Sequence, residues 1–162
     1  MTVFVKAEMI AERLCWPRRD GQERLPELVG KLIKSSILRE AIKEYRFPSP
    51  IYLPGPDGIL VVDDAVQHPF IPAGISLWEM GTSMDPKSKA DDDFKDAADK
   101  LAKAFPNAES PVTPEKATFV FVTSKPWDSS GWIREKRQIS TWQSIRVIDA
   151  VALEEWLGQC VA

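Results

Sequence analysis

Histidine and cysteine are scarce in this chain, which has 1 His and 2 Cys among its 162 residues. Cys15 and Cys160 lie near opposite ends, and His68 stands alone in a proline-containing stretch. No zinc cluster of standard ligand spacing can be assembled from so few ligands. We expect both cysteines to be small thiols, buried or partly exposed. His68 is expected to be a surface or packing residue, since nothing near it in sequence orients its ring.

Long apolar runs and an excess of positive charge are also missing. No stretch approaches the roughly 20 apolar residues that a membrane helix needs. Residues 1–16 carry scattered charges and lack the pattern of a secretion signal. We therefore expect a cytoplasmic protein that does not associate with membranes. The formal net charge of -3 excludes an overall basic nucleic-acid binder.

The charge is nevertheless unevenly distributed along the chain. Basic side chains recur between residues 13 and 46, whereas acidic side chains crowd residues 57–99. A basic flank beside an acidic centre suits phosphodiester chemistry around a metal ion. The same distribution describes many solvated surfaces, and charge alone favours that ordinary interpretation.

The composition is that of a folded domain, with 44% hydrophobic and 28% charged residues. A chain of this length can bury an ordinary core without disulfides or structural metals. We expect one domain over residues 1–162, with residues 1–22 as an N-terminal extension.

The apolar spacing predicts alternating helices and strands. Helical periodicity begins at Leu25 and extends, after a kink or break near residues 35–36, as far as Tyr45. A β-hairpin follows, with strands at residues 51–53 and 59–62. The remaining predicted elements are a strand through Glu79, a helix over residues 86–105 with Asp85 as N-cap, a buried strand at 117–123, a helix at 132–142, a strand at 144–149 and a helix at 151–157. This order predicts an α/β fold with a mixed central sheet flanked by helices.

Glu79 ends an apolar strand, where a carboxylate is costly. Strand residues alternate between faces, so Glu79 shares a face with Ile75 and Leu77 and approaches the core. A carboxylate there needs a cation, a metal or hydrogen-bond donors, or else it neutralises through a pKa shift. Asp57 opens the preceding strand. If the two strands are neighbours, Asp57 and Glu79 can converge on one Mg²⁺ or Mn²⁺ ion. A nearby lysine would complete a hydrolytic site by orienting the attacking water or offsetting charge on phosphorus.

Several features together resemble the restriction-endonuclease-like PD-(D/E)XK nuclease superfamily: Asp57-Gly58, Glu79 at a strand end, Lys89-Ala90 on the next helix, and the strand at 119–123. The downstream segments ATFVFVTSKPW, WIREKRQIST, SIRVIDA and VALEEWL resemble the closing portion of Mrr-type nuclease domains. The upstream segments RLPELVGKLIKSS, FPSP, PGPDG and PAGISLWEMGT resemble N-terminal nuclease-like modules of large bacterial NTPase proteins in antiphage defence. The likeness covers most of the chain.

The resemblance implies a restriction-endonuclease-like core and a metal-dependent DNA endonuclease of antiphage defence or restriction. It implies Mg²⁺ (or Mn²⁺) as cofactor, DNA as substrate, and a fused or associated NTPase or sensor domain in a longer protein. A homodimer also fits, because nucleases that cut both strands often pair two active sites.

The resemblance also assigns residues. Asp57 matches the first metal-binding acid and Glu79 the acid of the (D/E)XK element. Gly81 stands where the usual lysine would be, so the lysine is expected on the following helix. A helical wheel favours Lys87 as the lysine that faces the sheet, whereas the Lys89-Ala90 pair favours Lys89, and both remain candidates.

Other readings stay open beside this one. Glu23 or Glu27 on the first helix could add an acid to the site or could be solvated charges. The glycine at 81 and the acidic net charge also fit a catalytically inactive nuclease-like module that binds DNA or protein. A third class is an interaction domain unrelated to nucleases, in which the tryptophans are core or protein-contact residues: Trp78, Trp127, Trp132, Trp142 and Trp156.

Overall fold

A computed structural model describes residues 5–15, 18–47 and 55–160. Two helices and three strands come first, and helices and strands then alternate, as expected of an α/β protein. In chain order the elements are α1 Ala7–Cys15, α2 Arg18–Ser36, β1 Ile42–Arg46, β2 Gly58–Val62, β3 Gly74–Gly81, α3 Pro86–Ala104, β4 Ala117–Thr123, α4 Ser130–Ile139, β5 Ser144–Ile148 and α5 Ala150–Cys160.

The five strands form one mixed sheet in the order β1-β2-β3-β4-β5. The strand β2 runs antiparallel to both β1 and β3, whereas β3, β4 and β5 run parallel to one another. The α/β class with a mixed sheet flanked by helices is therefore confirmed. Parallel strands end at the same edge of a sheet. The carboxyl ends of β3, β4 and β5 consequently share one edge with the start of β2.

Helices cover both faces of the sheet. Side chains from α1, α2 and α5 pack on one face, against Trp78 and Met80 of β3. Side chains from α3 and α4 pack on the other, against Leu77 and Phe119. All seven residues of β4 are buried, as expected for a central strand covered on both faces. The alternation along β3 therefore directs Glu79 toward α3.

The prediction that the first helix continues as far as Tyr45 is wrong beyond residue 36. The helix α2 begins at Arg18, ahead of Leu25, and ends at Ser36, whose hydroxyl donates to the carbonyl of Leu32. Residues 42–46 instead form β1, which pairs antiparallel with β2. The apolar residues of this segment recur at helical spacing, but its hydrogen bonds to β2 make it a strand. The predicted hairpin partner at 51–53 lies outside the described residues.

The predictions for the second half of the chain are confirmed with small shifts of boundary. Asp85 caps α3 by accepting the N–H of Ser88 at 3.1 Å, and α4 begins and ends a few residues earlier than expected. His68 is a packing residue: its Nδ1 accepts the N–H of Phe70 at 3.1 Å, and its ring lies 5.9 Å from that of Trp156.

The N-terminal helix α1 packs on α2 and α5. Ile10 is buried in this contact, and the N–H of Ala7 donates to Glu154 of α5 at 2.6 Å. Four of the expected core tryptophans, at positions 78, 132, 142 and 156, are buried. In the described ranges, no helix is long and apolar enough to cross a membrane.

Candidate active site

The register between β2 and β3 brings Asp57 and Glu79 together. Gly58 pairs with Trp78 in this antiparallel ladder, so the next residue pair outward is Asp57 and Glu79. The N–H of Met80 donates to Oδ2 of Asp57 at 2.8 Å, which fixes the direction of that carboxyl group. Both side chains are nearly inaccessible, with 7% of Asp57 and 2% of Glu79 exposed. Their carboxyl groups are within hydrogen-bonding reach of each other.

Burial and mutual repulsion make this carboxyl pair hold a proton. Burial raises the pKa of Asp57, against the opposing effect of the Met80 N–H. Burial, followed by the negative charge of Asp57, raises the pKa of Glu79 to about 8. Two adjoining carboxyl groups cannot both ionise cheaply unless a cation offsets the charge. Glu79 therefore keeps its proton to a higher pH than an ordinary glutamate does.

A lysine that the sequence reasoning missed reaches this pair from α3. The ammonium of Lys100 lies 2.8 Å from Oε1 of Glu79, with 24% of the lysine side chain exposed. Burial acts to lower the pKa of Lys100, but the hydrogen bond and charge of Glu79 outweigh it, so the pKa is raised. About three helical turns separate Lys89 from Lys100, so both lie on one side of α3. This spacing is the signal from which Lys100 could have been found.

The stem of Lys89 lies directly on Gly81. A Cβ atom at position 81 would be only 2.7 Å from Cγ of Lys89. The ammonium of Lys89 donates to both oxygens of Asp93, at 2.6 and 2.8 Å. Burial raises the pKa of Asp93, although Lys89 opposes the shift. Gly81 thus leaves room for the side chain of Lys89, which comes from α3. Lys89 lies over the strand position at which the resemblance to the nuclease superfamily predicts a lysine.

Lys87 lies on the other edge of α3. Its side chain is 63% exposed, and its ammonium is 3.6 Å from Asp91, which also accepts the indole N–H of Trp132 on α4. The wheel argument that Lys87 faces the sheet is therefore wrong. On α3, Ala98 is exposed and Asp93 is buried, so the buried face of the helix is rotated away from Lys87.

The candidate acids on α2 do not join the carboxyl pair in the described structure. Glu27 is 62% exposed in side chain and pairs with Lys31 at 3.0 Å on the helix surface. It is a solvated helix charge. The side chain of Glu23 lies outside the described residues.

A groove of about 1010 Å³ runs beside Lys100, between α3 and the strands β1 and β2. Arg46, Lys100 and Lys103 supply positive charge along it, and Asp96 and Asp99 supply negative charge. Lys100 lines this groove and its ammonium contacts Glu79, so the groove leads to the carboxyl pair.

A second concave surface, here called the basic hollow, lies beside β1 and the end of α2. It has a volume of about 560 Å³ and is lined by Lys34, Arg39, Ile42, Lys43, Glu44 and Tyr45. The ammonium of Lys34 lies 4.4 Å from the centre of the Tyr45 ring. Glu44 pairs with Arg46 at 3.0 Å. Within the described ranges, Lys34, Arg39 and Lys43 have no carboxylate in ion-pair contact.

The oxygen ligands of the carboxyl pair suit a hard divalent cation. Among residues 5–15, 18–47 and 55–160, no group of three or more His, Cys, Asp or Glu is arranged to hold a metal ion. Mg²⁺, however, is commonly bound through one or two carboxylates, with water and substrate phosphates completing its shell. A divalent cation would also offset the charge that otherwise keeps a proton on Asp57 and Glu79. The two residues therefore fit Mg²⁺ or Mn²⁺.

The chain matches no protein-family model, and neither curated proteins nor solved structures show a match to it. The fold and the side-chain geometry are accordingly the basis for a proposal of function.

Proposed function

We propose that the protein is a metal-dependent DNA endonuclease with a restriction-endonuclease-like core, in which Asp57 and Glu79 bind Mg²⁺ or Mn²⁺. One observation carries the proposal: a buried carboxyl pair at a sheet edge, with the stem of Lys89 lying over Gly81 beside it. Structural ion pairs are the ordinary fate of buried charges, but burying two adjoining acids is costly for stability alone. Perturbed carboxyl groups of this kind cluster at functional sites.

The roles of the side chains follow from their contacts. The bound metal would hold the scissile phosphate and lower the pKa of a water molecule. Asp57 is held in one orientation by the N–H of Met80, so it is preorganised as a ligand. Lys89 is held by both oxygens of Asp93 and is placed to orient water or to offset charge that develops on phosphorus.

The biological setting that we propose is antiphage defence or restriction, alongside a fused or associated NTPase or sensor domain. This part rests on the resemblance of the segments PGPDG, PAGISLWEMGT and ATFVFVTSKPW to the defence-associated modules. A homodimer, with one active site for each DNA strand, accompanies this setting.

Plasmid cleavage tests the proposed function. Supercoiled DNA incubated with the protein and Mg²⁺ or Mn²⁺ should be nicked or linearised, and Asp57→Asn, Glu79→Gln and Lys89→Met should each lower the rate by at least about 100-fold. Lys87→Met is the matched control, since Lys87 lies on the far edge of α3, and it should cleave like the parent. Cleavage by Asp57→Asn at the parental rate would reject the proposed site.

The basic hollow favours a second candidate function, that of a catalytically inactive nuclease-like module that binds DNA. Its three cations without carboxylate partners in the described structure suit phosphate contacts. In this case DNA binding should fall steeply with salt, and no cleavage should occur with either metal. Cleavage that depends on Glu79 would exclude this candidate.

A further inference from the structure

Lys100 belongs to two environments at once. Lys100 is one of the residues that line the groove, while its ammonium lies 2.8 Å from an oxygen of Glu79, whose side chain is almost without solvent contact. Of the two lysines near the carboxyl pair, it is the one whose charge lies directly on a proposed metal ligand. A metal ion on Glu79 and this ammonium would therefore be close cations in a poorly hydrated place, where repulsion is strong.

The two lysines of this site differ in how firmly they are held. Lys89 donates to both oxygens of Asp93, and its stem is confined by Gly81. Among the described residues, Lys100 contacts one carboxylate, that of Glu79, and it also lines the open groove. Lysine stems reorient readily. Lys100 is thus the cation that can leave while Lys89 stays in place.

The groove offers the departing ammonium a partner. Asp96 lines the groove one helical turn before Lys100, and an acid four residues before a lysine on a helix is a favourable pair. Asp99, by contrast, already pairs with Lys103 at 2.8 Å. An ammonium that moves beside Asp96 lies in the groove, where a substrate phosphate can contact it.

We propose that Lys100 competes with the divalent metal for Glu79 and, once displaced, turns into the groove to bind a phosphate of the nucleic acid. The inference rests on the proposed metal site and assigns it a built-in competitor. Metal binding and substrate binding are then coupled, because the arrival of the metal frees a cation for the substrate.

Metal titration without nucleic acid tests the competition. Isothermal titration of Mn²⁺ into the purified protein at pH 7.5 should show about tenfold tighter binding by Lys100→Gln than by the parent, within the usual range of coupling between sites. Lys100→Met, which retains the apolar stem, should behave in the same way. Lys103→Gln is the matched control, since Lys103 lies in the same groove but pairs with exposed Asp99, and its Mn²⁺ affinity should be parental.

A second measurement follows the displaced ammonium. With Ca²⁺ replacing the catalytic metal, Lys100→Gln should bind a short DNA duplex about five- to tenfold more weakly than the parent, since one phosphate contact is lost. Equal or weaker Mn²⁺ binding by both Lys100 variants would overturn the competition, and would show that the ammonium supports the metal ligand instead. If the parent itself binds no Mn²⁺ at millimolar concentration, the proposed metal site fails along with this inference.

Discussion

The carboxyl pair should make the protein less stable as pH rises, when metal is absent. The pKa of Glu79 is raised from its ordinary value of 4.5 to about 8, mainly because the side chain is buried and then because Asp57 is close. Between these values the folded protein binds a proton that the unfolded chain has lost. The free energy of unfolding must therefore fall with increasing pH in this window. This contribution is fully present below pH 4.5 and is lost as pH rises through about 8.

The size of the effect follows from the shift. Each pKa unit corresponds to 1.36 kcal/mol, so the ceiling on the loss between pH 5 and pH 8 to 9 is roughly 4–5 kcal/mol. Most small domains have a stability of about 5–15 kcal/mol, so a loss of this size would be readily measured. A divalent metal that binds Asp57 and Glu79 should remove most of the loss, because it replaces the proton that Glu79 holds.

Urea denaturation in EDTA at pH 5, 6, 7, 8 and 9 measures this dependence. The variant Asp57→Asn removes one charge of the pair while its amide oxygen can still accept the N–H of Met80, so its stability should depend less on pH than that of the parent. Asp92→Asn is the matched control, because Asp92 is 69% exposed, and it should follow the parent. The lowered pKa of His68 gives a small opposite slope, which cancels in the comparison of variants. A parental stability that stays flat or rises from pH 5 to 8, parallel to Asp57→Asn, would refute the reasoning.

Three further outcomes follow from the same geometry. Gly81→Ala should push the Lys89 stem away, since the new Cβ would lie 2.7 Å from Cγ of Lys89. Plasmid nicking should fall at least about tenfold, and the free energy of unfolding should fall by about 1–3 kcal/mol. Full activity would show that the position of Lys89 is unimportant. Reversing charge at Lys34 and Lys43 should reduce the salt slope of DNA binding by about 2 in log–log units, measured by fluorescence anisotropy, and an unchanged slope would exclude the basic hollow as a DNA contact. Mn²⁺ at about 100 times its Kd should stabilise the parent by about 2.7 kcal/mol in thermal melts, and Glu79→Gln should show no such gain; equal gains in both proteins would place the metal elsewhere.

Local signals were sufficient for α3 and β4. Asp85 and Pro86 mark the start of α3, and the continuous apolar run from residue 117 is typical of a buried strand. The strand β1 was missed because its conformation depends on pairing with β2, a partner that is distant in sequence. Its apolar residues also recur at helical spacing, so periodicity alone favoured the wrong structure.

The acids of the candidate site were within reach of sequence reasoning, and the cations were only partly so. Asp57 and Glu79 could be paired because both adjoin strands that are consecutive in the chain. The role of Lys100 depends on how α3 is rotated against the sheet, and a hydrophobic wheel misjudges that rotation when a charged residue such as Asp93 is buried. The same misjudged rotation made the wheel favour Lys87, whose side chain is exposed.

The placement of Lys89 on α3 has a consequence for the newly made chain. Both acids come from β2 and β3, which a ribosome releases before α3, and the lysine reaches Gly81 only after α3 has docked on the sheet. A chain that has folded no further than the two strands would carry the acids without their lysine. If the proposed function is correct, the protein cannot cut DNA during synthesis or when α3 is dislodged, and correct folding itself serves as the safeguard of the cell that makes it.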